Sequence, residues 1–535
     1  MKKLISFAAL TAMVLTLFVP SFAVAAERPD RGDATADGAI NMKDVLADRK
    51  YVADLGTELD FEAGDCNGDE EINMKDVLIL RKYVAGLDAS FAAYKMDDYA
   101  PFYLKTLAQE QVTLSFYDSD ATMLGVTWHT TRKNYGPVAQ VVKVEDGKEP
   151  DFANAMEFKG ETEEFSDMST LYSAETNEFK TVSKIGYKSN PDYTHRAVLK
   201  GLDYDTTYAY RVGDGAKKIW SDTYTFTTRP ETVGDFSFIY LSDTQVTATQ
   251  DQTAAHFMAD ALNGAASIDP NYSFIMHGGD IVQTSRYLHQ WQMMINGNEN
   301  FLAQNPFMPA TGNHEATNDT AGQYETYKHL TFNYPEENSD KSYGVYYSFD
   351  YGDVHFAVLN TCYAEGVRAP TVDSIQRTWL ENDLSKSTKK WKIVMMHVPM
   401  VSYKNISMAP LNRIFNENGV DLVLQADEHV YLRSYPMSDR GKPITDTATR
   451  TVDGVEYLVN PAGSVYIQAA TGGDSQTNVN PATVKPENLA TYGSGKQSTF
   501  ANISIKGNTL TMRTSYYNNG NIQTYPNGIW GIIKE

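Results

Sequence analysis

The sequence predicts a multidomain chain: a small all-α module, an all-β sandwich, and a larger α/β domain with layered α+β character. Three observations lead there. A short acidic segment near the start is repeated at a fixed offset. Period-two apolar patterns follow it. From about residue 233 onward, short apolar runs alternate with helix-like stretches, as in layered α/β domains. A length of 535 residues accommodates about three domains at the usual ~100–200 residues each.

Composition narrows the functions. Hydrophobic residues make up 42% of the chain, enough to build real cores. Against 46 Lys and Arg stand 68 Asp and Glu, a net charge of −22 with no basic block. A nucleic-acid-binding module and attachment to anionic lipid are therefore not expected. Cys66 and Cys362 fall in different predicted domains, so no disulfide framework is expected. Some of the excess acid suits oxygen-liganded metal sites.

Residues 1–26 read as a secretory signal peptide. Lys2 and Lys3 precede LISFAALTAMVLTLFVPSFAVAA, which ends in small residues. The expectation is a secreted, extracellular protein. No later segment is long and apolar enough for a membrane span.

Residues 27–88 hold the repeat. GDATADGAINMKDVLADRKYVADL begins at Gly32 and GDCNGDEEINMKDVLILRKYVAGL at Gly64, with every match offset by 32 residues. Positions 1, 3, 5, 9 and 12 are Asp33, Thr35, Asp37, Asn41 and Asp44, then Asp65, Asn67, Asp69, Asn73 and Asp76. That spacing wraps hard oxygen donors around one Ca²⁺ per copy, two in all. Thr35 is the weaker donor, and Glu70 takes the sharp-turn position that Gly38 fills in the first copy. Only six residues separate Ala26 from Asp33, so each copy is a loop followed by a helix. The module resembles a type I dockerin over about residues 30–88. The resemblance implies docking onto a cohesin module of a scaffold protein, hence scaffold or cell-surface association. The cohesin-facing residues it implies are Met42, Lys43, Arg49 and Lys50, with Met74, Lys75, Arg81 and Lys82. The near-perfect duplication adds two possible docking orientations.

Residues 89–100 read as a linker, and 101–232 as the sandwich. In TMLGVTWHT the residues Leu124, Val126 and Trp128 alternate; in GLDYDTTYAYRVGD, Tyr208, Tyr210 and Val212 do so. The Leu202 to Tyr208 stretch resembles a fibronectin type III domain. Its tyrosines read as core and corner residues, with no chemistry assigned.

Residues 233–535 form the α/β domain. FSFIYLSDTQ, YSFIMHGGDIV, PFMPATGNHE, WKIVMMHVP and DLVLQADEHVY are apolar runs ending in polar clusters, separated by helical stretches such as SIQRTWLENDL. Hairpins are expected at Gly352-Asp353 and Gly507-Asn508. Sites gather beyond the carboxyl ends of such strands. There the chain supplies Asp243, Asp280, Asn313 with His314, His397, and Asp427 with His429. Mixed Asp, Asn and His donors suit Mn²⁺, Fe, Zn²⁺ or Mg²⁺. Two ions side by side need a shared carboxylate, and the mid-series Asp280 is the natural bridge.

These ordered motifs resemble the calcineurin-like metallophosphoesterases, and the preceding sandwich points to the purple-acid-phosphatase-like branch, over about residues 101–535. The resemblance implies two metal ions, Fe, Zn or Mn. One is held by Asp243, Asp280 and His429, the other by Asp280, Asn313, His397 and the residue at 427. It implies hydrolysis of phosphate esters, phosphomonoesters first, by a hydroxide between the ions. His314 would protonate the leaving alkoxide or orient a ligand. A phosphodiesterase on the same site, and a degraded site that only binds, are the competing readings.

Three positions depart from the family pattern. Gln245 stands where many members have a His ligand. Gln283 stands where the purple branch has its tyrosinate, so iron–tyrosinate colour should be absent. In Ala426-Asp427-Glu428-His429, Asp427 replaces the first His of Gly-His-x-His. A carboxylate there coordinates through oxygen and favours harder metals; the alternative is a weakened second site. Glu428 reads as a spacer pointing elsewhere. His355 reads as packed and His277 as a satisfied or supporting residue. Arg286, Tyr287 and His289 either line a helix surface or contact substrate.

Overall fold

The computed structural model describes residues 30–535 apart from 58, 70, 88, 93–107, 131–133, 166–169, 174–177, 182–191, 248–253, 286–287, 317–326, 328–330, 332–344, 363–371, 403–410 and 485. The expected signal peptide, most of the expected linker, Glu70, Arg286, Tyr287 and the side chain of His289 lie outside the described residues. The chain divides into two compact units, Met1–Arg49 with Glu58–Tyr94, and Lys50–Thr57 with Lys95–Glu535.

In the first unit each INMKDVL segment opens a helix, Met42–Val52 and Met74–Val84. Asn41 and Asn73 cap them: their Oδ1 atoms accept from the backbone N–H of Lys43 at 2.8 Å and Lys75 at 2.9 Å. The position-12 carboxylates fold back over their loops. Asp44 accepts from the N–H groups of Thr35 and Asn41, and Asp76 from those of Asn67 and Asn73. One difference between the copies puts a charge in the core. Asp48 stands where the second copy has Leu80, and both are fully buried. Neither carboxylate oxygen of Asp48 has a hydrogen-bond partner.

The second unit begins with two facing sheets. One pairs Glu110–Phe116, Leu124–Thr130, Asp192–Leu199 and Glu161–Phe165 in that order. The other runs Ile219–Trp220, Thr207–Asp214, Pro137–Lys143 and Met156–Lys159, with Tyr224–Thr227 also on Thr207–Asp214. Val126, Trp128, Val141, Tyr208, Tyr210 and Val212 are buried in the core. The Tyr208 hydroxyl accepts from Asp203 N at 2.9 Å, a corner contact as expected. Alternation in TMLGVTWHT implies one wet strand face, yet Thr127 and His129 are also buried. His129 Nδ1 lies 3.1 Å from Gln111 Nε2 while Thr127 Oγ1 has no hydrogen-bond partner among the described residues, so that face is covered by other residues instead of hydrated.

Two mixed sheets then pack around an aromatic layer that includes Phe238, Phe274, Phe349 and Phe356. In the eight-stranded sheet Phe236–Leu241 lies parallel to Ile275–His277, which lies parallel to Phe307–Pro309. In the seven-stranded sheet Val354–Leu359, Trp391–Met396, Leu422–Gln425 and Val465–Ala469 are successive parallel neighbours. Such strands are buried on both faces and so read as unbroken apolar runs. Both expected hairpins form, closing at Tyr351↔Val354 and Lys506↔Thr509. Helices including Ala254–Ile268, Ser374–Lys386 and Leu411–Glu417 alternate with the strands. The α/β layering is that expected from sequence.

Candidate metal centre

Each candidate ligand follows the carboxyl end of one of these strands. Asp243 follows Phe236–Leu241, Asp280 follows Ile275–His277, and Asn313 follows Phe307–Pro309. His397 follows Trp391–Met396, and Asp427 and His429 follow Leu422–Gln425. Leaving an extended strand and aiming a side chain back over its end requires a sharp turn. Asp243, Gln245, Asp280, Asp427 and His429 all make it with left-handed backbone, φ 54, 41, 53, 73 and 54. Asp and His enter that region more readily than most residues; Gln does so at a cost that clusters at functional sites.

The turns bring the donors together as two trios sharing one carboxylate. Ligand atoms of Asp243, Asp280 and His429 lie within 4.8 Å of one another, and so do those of Asp280, His397 and Asp427. Asn313 joins the second trio, its Oδ1 3.1 Å from His397 Nε2. Two glycines make room for this closeness. A Cβ on Gly312 would collide with Asp280 Oδ1 and its backbone nitrogen, and one on Gly279 would stand 2.8 Å from His397 Nδ1.

The surroundings fix which atom each histidine presents. Nδ1 of His397 donates to Gly278 O at 2.9 Å, and Nδ1 of His429 to Ser475 O at 2.7 Å. That tautomer leaves Nε2 of both rings as a lone pair facing the carboxylates, the arrangement of metal-ligating histidines. His314 follows the same rule, Nδ1 to Gln283 O at 2.6 Å, with Nε2 3.7 Å from Asp280 Oδ2.

The residues fit a pair of cations. Asp243 is fully buried, and its Oδ2 has no hydrogen-bond partner, although Oδ1 accepts from Asp427 N at 3.0 Å. Burial acts against charge on His397, but Asp280 and Asp427 raise its affinity for a proton well above the ordinary value. Burial likewise opposes charge on His429, and Asp243 overrides it, raising its pKa. Burial raises and His397 and His314 lower the Asp280 pKa, with a net fall. Three carboxylates thus draw positive charge into a site without a Lys or Arg ion pair among the described residues.

Support beneath the ligands comes partly from a residue to which the sequence reading gave no role. Glu315 is buried and accepts from the N–H groups of Gly312, Asp280, Ile281 and Val282, at 2.7, 2.8, 2.9 and 3.4 Å. It closes the Gly-Asn-His-Glu motif, which was its signal. Thr471 Oγ1 donates to Asp243 O at 2.7 Å. Among the departures, Gln245 Nε2 donates to Asp280 Oδ2 at 3.3 Å. Gln283 meets His314 through its backbone carbonyl, and its N–H donates to Val246 O at 3.1 Å. Glu428 points away, as expected, bonding Ser402 Oγ and Gln468 Nε2. His277 is satisfied by Thr244 Oγ1 at 3.0 Å, and His355 is packed between Asp350 and Asp383.

In the first unit Asp65, Asp69 and Asp76 bring carboxylate oxygens within 4.8 Å of one another. In the first loop Asp33 accepts from Asp37 N and Gly38 N, and Thr35 Oγ1 donates to Asp44 Oδ1. Asn41 and Asn73 spend Oδ1 on helix capping. All eight expected cohesin-facing residues are exposed, with Lys43 paired to Asp37 at 2.6 Å and Lys75 to Asp69 at 3.1 Å. Leu46 and Leu78, 32 residues apart, are also half exposed beside Met42 and Met74 and were not anticipated.

Comparison with known proteins identifies the domains. Residues 31–85 match the type I dockerin domain, 109–228 the purple acid phosphatase N-terminal domain, and 236–431 the calcineurin-like phosphoesterase domain. The chain is therefore built from the domains of a purple-acid-phosphatase-like calcineurin-type phosphoesterase with a type I dockerin ahead of them. Purple acid phosphatase 1 of Ipomoea batatas is 26% identical over 54% of this chain and 61% of its own length. Fe(3+)-Zn(2+) purple acid phosphatase 12 of Arabidopsis thaliana is 24% identical over 53% of this chain and 60% of its own. The chain thus spans about three-fifths of the length of these curated relatives. A purple acid phosphatase from yellow lupin (Lupinus luteus) seeds shares the fold, with a TM-score of 0.62 at 18% identity over 80% of this chain and 75% of that one.

Proposed function

We propose that this chain is a secreted, scaffold-docked two-metal phosphoesterase that hydrolyses phosphomonoesters. The observation that carries the reading is the overlap of the two donor trios at Asp280. One ion is assigned to Asp243, Asp280 and His429, the other to Asp280, Asn313, His397 and Asp427. Two such ions, when bound, supply Lewis-acid polarisation of the ester and an activated water nucleophile. The protein's own part is to orient and to move a proton. The carbonyls of Gly278 and Ser475 keep the two ligand imidazoles in the ligating tautomer. The Gln283 carbonyl holds Nδ1–H of His314, so a proton given to the departing oxygen comes from Nε2 of the protonated, imidazolium ring. His314 N, donating to Asp280 Oδ1 at 2.8 Å, ties that ring to the bridging carboxylate.

The names of the relatives support the monoester preference, and the dockerin match supports cohesin docking, extracellular attachment and two Ca²⁺ ions in the 33–44 and 65–76 loops. We further propose the domain limits 27–88, 101–232 and 233–535, with a fibronectin-III-like sandwich in the middle.

The test is metal analysis of the purified chain with turnover of p-nitrophenyl phosphate and of its bis ester, across added Mn²⁺, Zn²⁺, Fe²⁺ and Mg²⁺. Monoester turnover above diester turnover is expected, with two ions bound and Asp280→Asn lowering kcat by about a hundredfold or more. A chain that holds no ion and turns over neither ester overturns the enzyme reading.

A further inference from the structure

The two half-sites around Asp280 carry equal donor charge. The first has one terminal carboxylate and one imidazole, with His429 Nε2 3.5 Å from Asp243 Oδ1. The second has the same pair, with His397 Nε2 3.6 Å from Asp427 Oδ1. Asn313 adds a neutral amide oxygen to the second half and no charge. Asp280 stands between them, its Oδ2 3.3 Å from His397 Nε2.

The neighbouring Tyr240 phenol, which could supply a stronger anionic donor, is committed elsewhere: its buried hydroxyl donates to Gln425 O at 2.8 Å. Holding a trivalent ion on one side and a divalent ion on the other requires one half-site to be more anionic, because the preference for 3+ over 2+ scales with the donor charge facing it. Here Asp427 removes that difference.

We propose that Asp427 makes the centre charge-matched, so that both half-sites take the same divalent ion and no ferric ion is required. The inference rests on the two-ion reading above. It separates this chain from a relative whose name specifies Fe(3+) and Zn(2+).

The experiment uses the full chain, stripped of metal and then saturated with Ca²⁺ so that the dockerin loops are filled. Mn²⁺ alone is titrated by calorimetry and followed by electron paramagnetic resonance, and Fe³⁺ plus Zn²⁺ is titrated in parallel. Two Mn²⁺ per chain are expected, with affinities within about tenfold of each other and the signal of a spin-coupled pair. In Asp427→His and Asp427→Asn the first Mn²⁺ stays, the second weakens by about tenfold or more, and the coupled signal is lost. A wild-type chain that takes only one Mn²⁺ until Fe³⁺ is supplied overturns the proposal, as do unchanged affinities in both variants. A chain that binds no metal under any condition instead removes the two-ion reading on which it stands. The wild-type titration decides even where a variant does not fold.

Discussion

Glu315 shows how much of the centre depends on one side chain that ligates nothing. Its two oxygens collect four backbone N–H groups from the Asp280 and Gly312 turns, which fixes the height of Asp280 over its strand. Burial, then the Asp280 charge, push its pKa up to about 8, while those donors favour the anion. Glu315→Gln keeps the shape but turns an amide NH₂ towards N–H groups. The expected result is about 2–4 kcal/mol lost in urea unfolding and about 10–100-fold weaker metal binding; unchanged binding would remove this role. Asp48 is the opposite case, a buried carboxyl without hydrogen bonds. Burial, reinforced by the Asp76, Asp44 and Asp65 carboxylates, raises its pKa from 3.8 to about 8. Because the folded state holds a proton that the unfolded state has released, stability falls as pH rises from about 4 to about 8. Asp48→Leu, which copies Leu80 of the second repeat, should therefore stabilise the dockerin, measured without added Ca²⁺ so that those carboxylates keep their charge, by about 1–3 kcal/mol near pH 8 and less near pH 5. A melting difference that does not grow with pH contradicts this.

At the scale of elements, His355 staples a hairpin to a helix. It sits on Val354–Leu359 and bonds Asp350 of the paired strand at 2.7 Å and Asp383 of Ser374–Lys386 at 2.9 Å. Burial disfavours its charge, but the two carboxylates win and raise its pKa to about 9. A raised folded value means the contribution is complete below about pH 6.5 and is lost as pH climbs through about 9. The unfolding free energy of wild type minus that of His355→Gln, both from urea titration, should shrink over that window by up to about 3 kcal/mol; a constant gap would disprove the staple. The sequence shows the elements well where a strand is apolar throughout and then stops at a ligand-type residue, as at Asp243, Asp280, His397 and Asp427. It shows less where the partner is a backbone atom. Nothing in the side chains of Gly278 or Ser475 announces that their carbonyls orient His397 and His429. Glu315 is visible as a motif letter, but its donors come from turns 35 and 3 residues away that only folding unites. The alternating Thr127 and His129 are buried although alternation suits a wet face, because pattern alone cannot tell a hydrated face from one that other residues cover.

At the scale of the molecule, the two acidic loops and the candidate metal centre lie in separate compact units. The first unit concentrates acid: Asp65, Asp69 and Asp76 hold carboxylate oxygens within 4.8 Å, and each like-charged pair at such a distance costs about 1–4 kcal/mol before a cation enters. Calcium should convert that repulsion into stability of this unit alone. At a calcium level about a thousandfold above the dissociation constant, linkage gives about 4 kcal/mol per site. The second unit draws its stability from other sources, the aromatic layer between its two sheets and the buried strands around it. Differential scanning calorimetry of the full chain should therefore resolve a transition that climbs with added Ca²⁺ and another that stays fixed. Turnover of p-nitrophenyl phosphate should follow the fixed transition and remain after the calcium-sensitive one has passed. Both transitions rising together, or activity ending with the calcium-sensitive melt, would show that the docking module and the phosphoesterase domain fold as one body.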